Sequence, residues 1–323
     1  MPAFRRVLIL IFLMLFAASA FARDELIETA EKLYRSGRVP EAKRMIANFI
    51  TNNETAKGYV EIGHLYSRMR KWPEAVHYLS IATTREPKDA QIWYELGLAQ
   101  HQNKNVDESI ESIRRSISLN PKKSHSVFAL GEILEYAHDR YEARQIYIAA
   151  IKKLGNQAAI RAKLCWVNYQ DSFFAETIRQ CSKAVELNPK DDVSWGLLGK
   201  TYFDSQVRDK AFKTFKKGLS LNPNSAPIHR ARGLVYFEEK SWEQAAVDLG
   251  KAFGIDPLDD EAGVYLARAL FETGSYEHAL PIFSEACRLN RSYRFDFLAK
   301  QRDLMRKNLD EIASRYQEVL DTL

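Results

Sequence analysis

The sequence predicts an all-α solenoid assembled from antiparallel helix pairs. Two observations carry that expectation. Small and aromatic residues recur every 34 residues, and apolar residues within each interval keep the i, i+3, i+4, i+7 spacing of amphipathic helices. The composition agrees: 14 glycines and 10 prolines in 323 residues leave little room for long linkers.

The recurrence is plainest in "GLLGKTYFDSQ" (196–206) and "RARGLVYFEEK" (230–240), where Tyr202–Phe203 is echoed by Tyr236–Phe237. A small residue in the first helix of each interval reads Ala30, Gly63, Gly97, Gly131, Cys165, Gly199, Gly233, Ala267. Its counterpart in the second helix reads Ala42, Ala75, Ser109, Ala143, Thr177, Ala211, Ala245, Ala279, Ala313. Small residues let two backbones approach, and larger neighbours fill the space beside them. Prolines at 87, 121, 189, 223 and 257 end the second helices, because proline cannot extend a helix at that register. One pair cannot bury both its faces, so pairs must stack. The boundaries fall at 23–55, 56–89, 90–123, 124–157, 158–191, 192–225, 226–259 and 260–293, with a degenerate ninth unit at 294–323. In that last unit Leu309, Ile312, Tyr316, Val319 and Leu320 form one apolar stripe opposite charged residues, as a solubilising cap requires. Pro281, inside the second helix of the eighth unit, predicts a local bend.

The run Trp195, Leu198, Gly199, Tyr202, then Ala211, Phe215 and Pro223, resembles the tetratricopeptide repeat in every signature position. The resemblance covers essentially the whole chain past residue 22. It implies a right-handed superhelical solenoid of about eight units plus C-terminal capping helices. It also implies that first helices line a concave groove in which a partner is held and no bond is made or broken.

The first residues differ in kind. Arg5 and Arg6 precede an apolar run from Val7 to Phe16, and Ala20-Phe21-Ala22 follows. That is the three-part pattern of a secretory signal, with cleavage expected before Arg23. The run is short of the roughly 20 residues that cross a bilayer, so a retained membrane anchor is the lesser alternative. A signal this simple predicts a bacterial periplasm. Charge is nearly balanced, 47 Lys and Arg against 42 Asp and Glu, which argues against a nucleic-acid binder.

Chemistry is sparse. There is no glycine-rich phosphate loop, no H-E-x-x-H and no G-x-S-x-G. The expectation is a non-enzyme with no cofactor and no metal; His64, His101 and His125 share the inner face but sit at different heights along their helices. Cys165 and Cys181 occupy facing buried positions within one unit. Antiparallel helix axes usually lie 8–10 Å apart, wide for a disulfide, so free thiols are favoured over a bridge, with Cys287 left over either way.

The groove positions read across units carry the functional expectation. One row gives Glu28, Glu61, Glu95 and Lys163; the next gives Glu31, Trp166, Lys200 and Arg268, with Arg230 alongside. Acids fill the early units and bases the late ones, a polarity that would orient a charged, extended ligand. Local pairing competes with this reading, through Glu31–Arg35, Lys200–Asp204 and Arg268–Glu272. A third row, Tyr169, Phe203, Phe237 and Phe271, offers rings to a partner, or else packs helices together. Tyr202 and Tyr236, one residue earlier, fill core slots. The lysine and asparagine set with which co-chaperone members clamp a terminal carboxylate is missing from any three adjacent units. The expected function is a periplasmic interaction scaffold for a protein or peptide partner of a cell-envelope complex. A carbohydrate-binding role in polysaccharide export or the cell wall is the alternative.

Overall fold

The computed structural model describes residues 25–155, 157–307 and 309–323, so the expected signal at 1–22 lies outside the described residues. These contain eighteen α-helices that follow one another in pairs, and no strand. The first four pairs are α1 (25–35) with α2 (Val39–Asn52), α3 (Ala56–Arg68) with α4 (Trp72–Arg85), α5 (Ala90–Gln102) with α6 (Val106–Leu119), and α7 (Ser124–Tyr136) with α8 (Arg140–Leu154). Then come α9 (Ala158–Gln170) with α10 (Phe174–Leu187), α11 (Asp192–Asp204) with α12 (Arg208–Leu221), and α13 (Ala226–Glu238) with α14 (Trp242–Ile255). The last are α15 (Asp260–Glu272) with α16 (Tyr276–Leu289) and, after a short 3₁₀ turn, α17 (Arg294–Arg306) with α18 (Asp310–Thr322). The chain divides into two compact units, Met1–Ile146 and Tyr147–Leu323. None of the described helices is long and apolar enough to cross a membrane.

Within a pair, the closest contact joins the small slot of the first helix to a large residue sixteen positions later. A Cβ on Gly63 would lie 2.7 Å from Leu79, on Gly97 2.6 Å from Ile113, and on Gly199 2.3 Å from Phe215. No side chain fits there, so the glycines are what bring the helices together. In the fifth pair the same two positions are Cys165 and Cys181, and they are joined as a disulfide with their Cα atoms 5.2 Å apart. This corrects the expectation of free thiols. The usual axis separation describes the average of two helices, whereas this slot is their point of nearest approach. Cys287 stays unpaired and buried, and burial pushes its thiol up to about 11.

The turns inside the first eight pairs are closed in the same way. Arg70, Lys104, His138, Ser172, Gln206 and Lys240 adopt positive φ, as do Gly37 and Gly274 in the first and eighth pairs. The next backbone N–H reaches back five residues, for example Lys71 to Tyr66 at 2.9 Å and Val207 to Tyr202 at 2.8 Å, which satisfies carbonyls at the helix end. Five first helices start on side-chain caps: Thr55, Asp89, Asp191, Ser225 and Asp259 each accept a backbone N–H from the first turn. Helix α16 continues through Pro281.

An aromatic N–H ties the proline loop to the following first helix. Trp93 donates to the Pro87 carbonyl and Trp195 to the Pro189 carbonyl, both at 3.0 Å. In the same slot of α13, His229 places Nε2 2.9 Å from the Pro223 carbonyl. Its Nδ1 lies 2.9 Å from Asp248 Oδ1, and Asp248 also accepts from Arg232 at 2.6 and 2.8 Å. His229 and Asp248 are buried, so the pair α13–α14 has an ionic cluster where the preceding pair α11–α12 has an indole.

Candidate partner-binding surfaces

In the second unit, successive first helices α9, α11 and α13 leave a pocket of about 160 Å³ between them. Gly196 sets its shape: a Cβ there would sit 2.9 Å from the Pro227 carbonyl oxygen, so α11 and α13 approach at backbone distance. Leu197, Ala231 and Leu234 make an apolar floor, while Trp166 and Tyr169 form one wall. Trp166 remains 38% exposed, unusual for so large an apolar ring beside a pocket.

The rim is charged, and each charge is held. Lys200 binds Asp204 and, at 3.0 Å, Glu238. Burial works against its ammonium, yet those bonds prevail and raise its pKa. Burial pushes the Tyr169 phenol up to about 12, and its O–H donates to Asp204 at 3.1 Å. Across the pocket Arg230 meets Asp259 at 3.1 Å and Glu261 at 3.5 Å. The bases of this rim are therefore built into ion pairs, which shrinks the one-signed field expected from the sequence. Lys163 also has a partner and is partly buried. Arg268 pairs with Asp296 at 2.8 Å, not with Glu272 as expected; Glu272 accepts from Lys300 at 2.7 Å. Helix α17 supplies both new partners, and only the tertiary fold brings it alongside.

The aromatic row is mostly a packing device. Three of the four rings meet the residue five positions on, at the start of the paired helix: Phe237 on Trp242 and Phe271 on Tyr276, both with centroids 4.9 Å apart, and Tyr169 on Phe174 at 6.4 Å. Phe203 is half-buried beneath the Lys200 ammonium. Phe271 is 1% exposed, enclosed by Tyr276 and Tyr316, and has to be removed from the set of partner-facing residues. The C-terminal helices cover it. Of the row, only Tyr169 lines the pocket. Val193, Pro227 and Glu261, one helical turn earlier, line it too and were missed, although they also recur at 34-residue spacing.

In the first unit, α1 and α3 bring Glu28 and Glu61 together around a shallow concavity shared with Glu31, His64 and Arg68. Glu31 is held by Arg35 at 2.6 Å and Arg68 at 3.1 Å. Glu95 on α5 joins through His64, whose Nε2 lies 2.8 Å from Glu95 Oε2. That bond raises the His64 pKa above 6.5, against the effect of burial. Burial favours the neutral form of Glu95, but its bonds from His64 and Gln91 outweigh that and lower its pKa below 4.5. The raised histidine contributes stability that is complete below 6.5 and is lost as pH climbs through its folded value. The lowered carboxylate contributes stability present above 4.5 and lost as pH falls. Urea unfolding of the full chain is therefore expected to lose stability as pH rises above 6.5, with a smaller loss in His64→Gln. Equal slopes in both proteins would show that the pair adds nothing.

Residues 60–124 and 193–225 match the tetratricopeptide repeat family. The chain is 22% identical over 226 residues to the peroxisomal targeting signal receptor of Kluyveromyces lactis, covering 59% of this chain and 40% of that protein. It is 25% identical over 231 residues to the anaphase-promoting complex subunit cut9 of Schizosaccharomyces pombe, covering 68% and 34%. The chain thus spans less than half the length of each. Among solved structures, the APC/C hetero-tetramer Cut9–Hcn1 superposes with a TM-score of 0.52 at 22% identity, over 75% of this chain and 48% of that one. That likeness concerns the fold alone.

Proposed function

We propose, on the premise that this chain is a tetratricopeptide repeat protein, that it is a non-catalytic scaffold holding an extended segment of a partner protein. The observation that carries this is the pocket between α9, α11 and α13, with its apolar floor and its exposed indole. Its charged rim is already paired, so the partner is selected by shape and by apolar side chains more than by net charge. The acidic concavity of α1 and α3 in the first unit offers a contact of its own for basic groups. The Arg5–Ala22 pattern supports export to a periplasm and service to a cell-envelope complex.

A photo-crosslinker placed at Val193, on the pocket edge, should capture the partner in cells. Capture is expected to fall about thirtyfold or more in Trp166→Ala/Leu234→Gln, since loss of a buried aromatic anchor costs about 2 kcal/mol or more. Helicity should be unchanged. Undiminished capture would reject the pocket. Trp166 beside Tyr169 also suits a sugar face; retardation of the protein on cell-wall polysaccharide that depends on Trp166 would move the assignment to carbohydrate.

A further inference from the structure

The geometry points to a second binding site on the opposite face of the second unit, a groove between α10 and α12 that receives an acidic, apolar-bearing peptide segment. Helix α12 carries Arg208, Lys210, Lys213, Lys216 and Lys217 against a single acid, Asp209. Arg208 is bound to Glu239. Among the described residues, the four lysines have no carboxylate within ion-pair distance. All four are exposed. These four lysines therefore leave α12 with positive charge that no neighbouring carboxylate compensates.

Lys210, Lys213 and Lys217 share one helical face and edge a concavity of about 390 Å³. Val185, Leu198, Trp195 and Tyr202 form its floor. Lys217 lies over the Trp195 ring at 5.2 Å and Lys210 over Tyr202 at 5.7 Å, so these ammonium groups rest on rings with no counter-ion. The other wall adds little acid: Glu186 is already paired with Lys183 at 2.9 Å. The three lysines span about 10 Å along the helix. An extended chain advances about 3.3 Å per residue, so carboxylates on alternate residues recur every ~6.6 Å, within the reach of these long, exposed side chains.

The depth of the groove selects among polyanions. Its apolar floor lies below the lysines, where side chains of a peptide can enter and a flat bilayer cannot. A nucleic acid needs a wider basic surface than one helix edge, and the chain as a whole carries only +5. Tyr202, expected as a core ring, thus has its outer edge in this second groove.

The site is tested with the full chain and a short fluorescein-labelled peptide of alternating Glu and Leu, followed by fluorescence anisotropy. Binding is expected for the natural protein. It should weaken about tenfold or more in Lys210→Glu/Lys213→Glu/Lys217→Glu, and stay unchanged in Trp166→Ala/Leu234→Gln. The three lysines are exposed, and circular dichroism of the triple variant checks its fold. No binding by the natural protein, or equal binding by the triple variant, overturns the site. Tighter binding of phosphatidylglycerol vesicles or of single-stranded DNA, lost in the triple variant, overturns the peptide assignment.

Discussion

Asp248→Ala is expected to destabilise the protein by about 3–5 kcal/mol, the cost of breaking a buried ionic cluster from one side. Asp248 is 2% exposed and is the acceptor for both Arg232 and His229. Its removal leaves the Arg232 guanidinium and the His229 ring facing a cavity between α13 and α14. His229 is buried and would keep only the Pro223 carbonyl, Arg232 is about a quarter exposed, and among the described residues no other carboxylate pairs with either. Urea unfolding followed by circular dichroism measures the loss. A change under about 1 kcal/mol would mean that the cluster rearranges at little cost. Restoring an indole by His229→Trp in the Asp248→Ala background should recover part of the stability, because Trp93 and Trp195 show that the slot accepts one.

Phe271→Ala should cost about 3–5 kcal/mol as well, through the loss of a fully enclosed ring. Phe271 packs with Tyr276 and Tyr316, and the ammonium groups of Lys300 and Lys307 lie 4.7 and 5.4 Å from its ring centre. Truncation therefore loosens α17 and α18 from α15. The contrast with Trp166→Ala is the useful part. Trp166 is partly exposed, so its truncation should leave stability almost unchanged while reducing partner capture. If Phe271→Ala leaves the unfolding midpoint in place, its enclosure by the C-terminal helices is wrong.

The helix pairs were legible because their cause is local. Gly199 and Phe215 are sixteen residues apart, and a periodic pattern reports such contacts directly. What escaped depended on residues far along the chain. Phe271 looked partner-facing because the row of 34-residue steps places Phe271 with Tyr169, and nothing in that row reveals that α17 and α18 close over it. Arg268 was read with Glu272, one turn away, and chose Asp296 on another helix. Six of the named groove residues illustrate the partial success. Trp166, Tyr169, Lys200 and Arg230 converge on one pocket, and Glu28 and Glu61 on another concavity. The lysines of α12 lie on a second helix, outside the first-helix rows that carry the functional expectation.

The bridge between α9 and α10 also bears on how the second unit comes apart. A stacked array is held by nearest-neighbour contacts, so it frays inward from its ends. Fraying that starts at α18 runs through successive pairs until it reaches one whose two helices cannot separate. Cys165–Cys181 makes that pair α9–α10, the wall that carries Trp166 and Tyr169. The oxidised protein thus keeps half its pocket as a covalently clasped hairpin, a stop in the zipper at the wall of the candidate site.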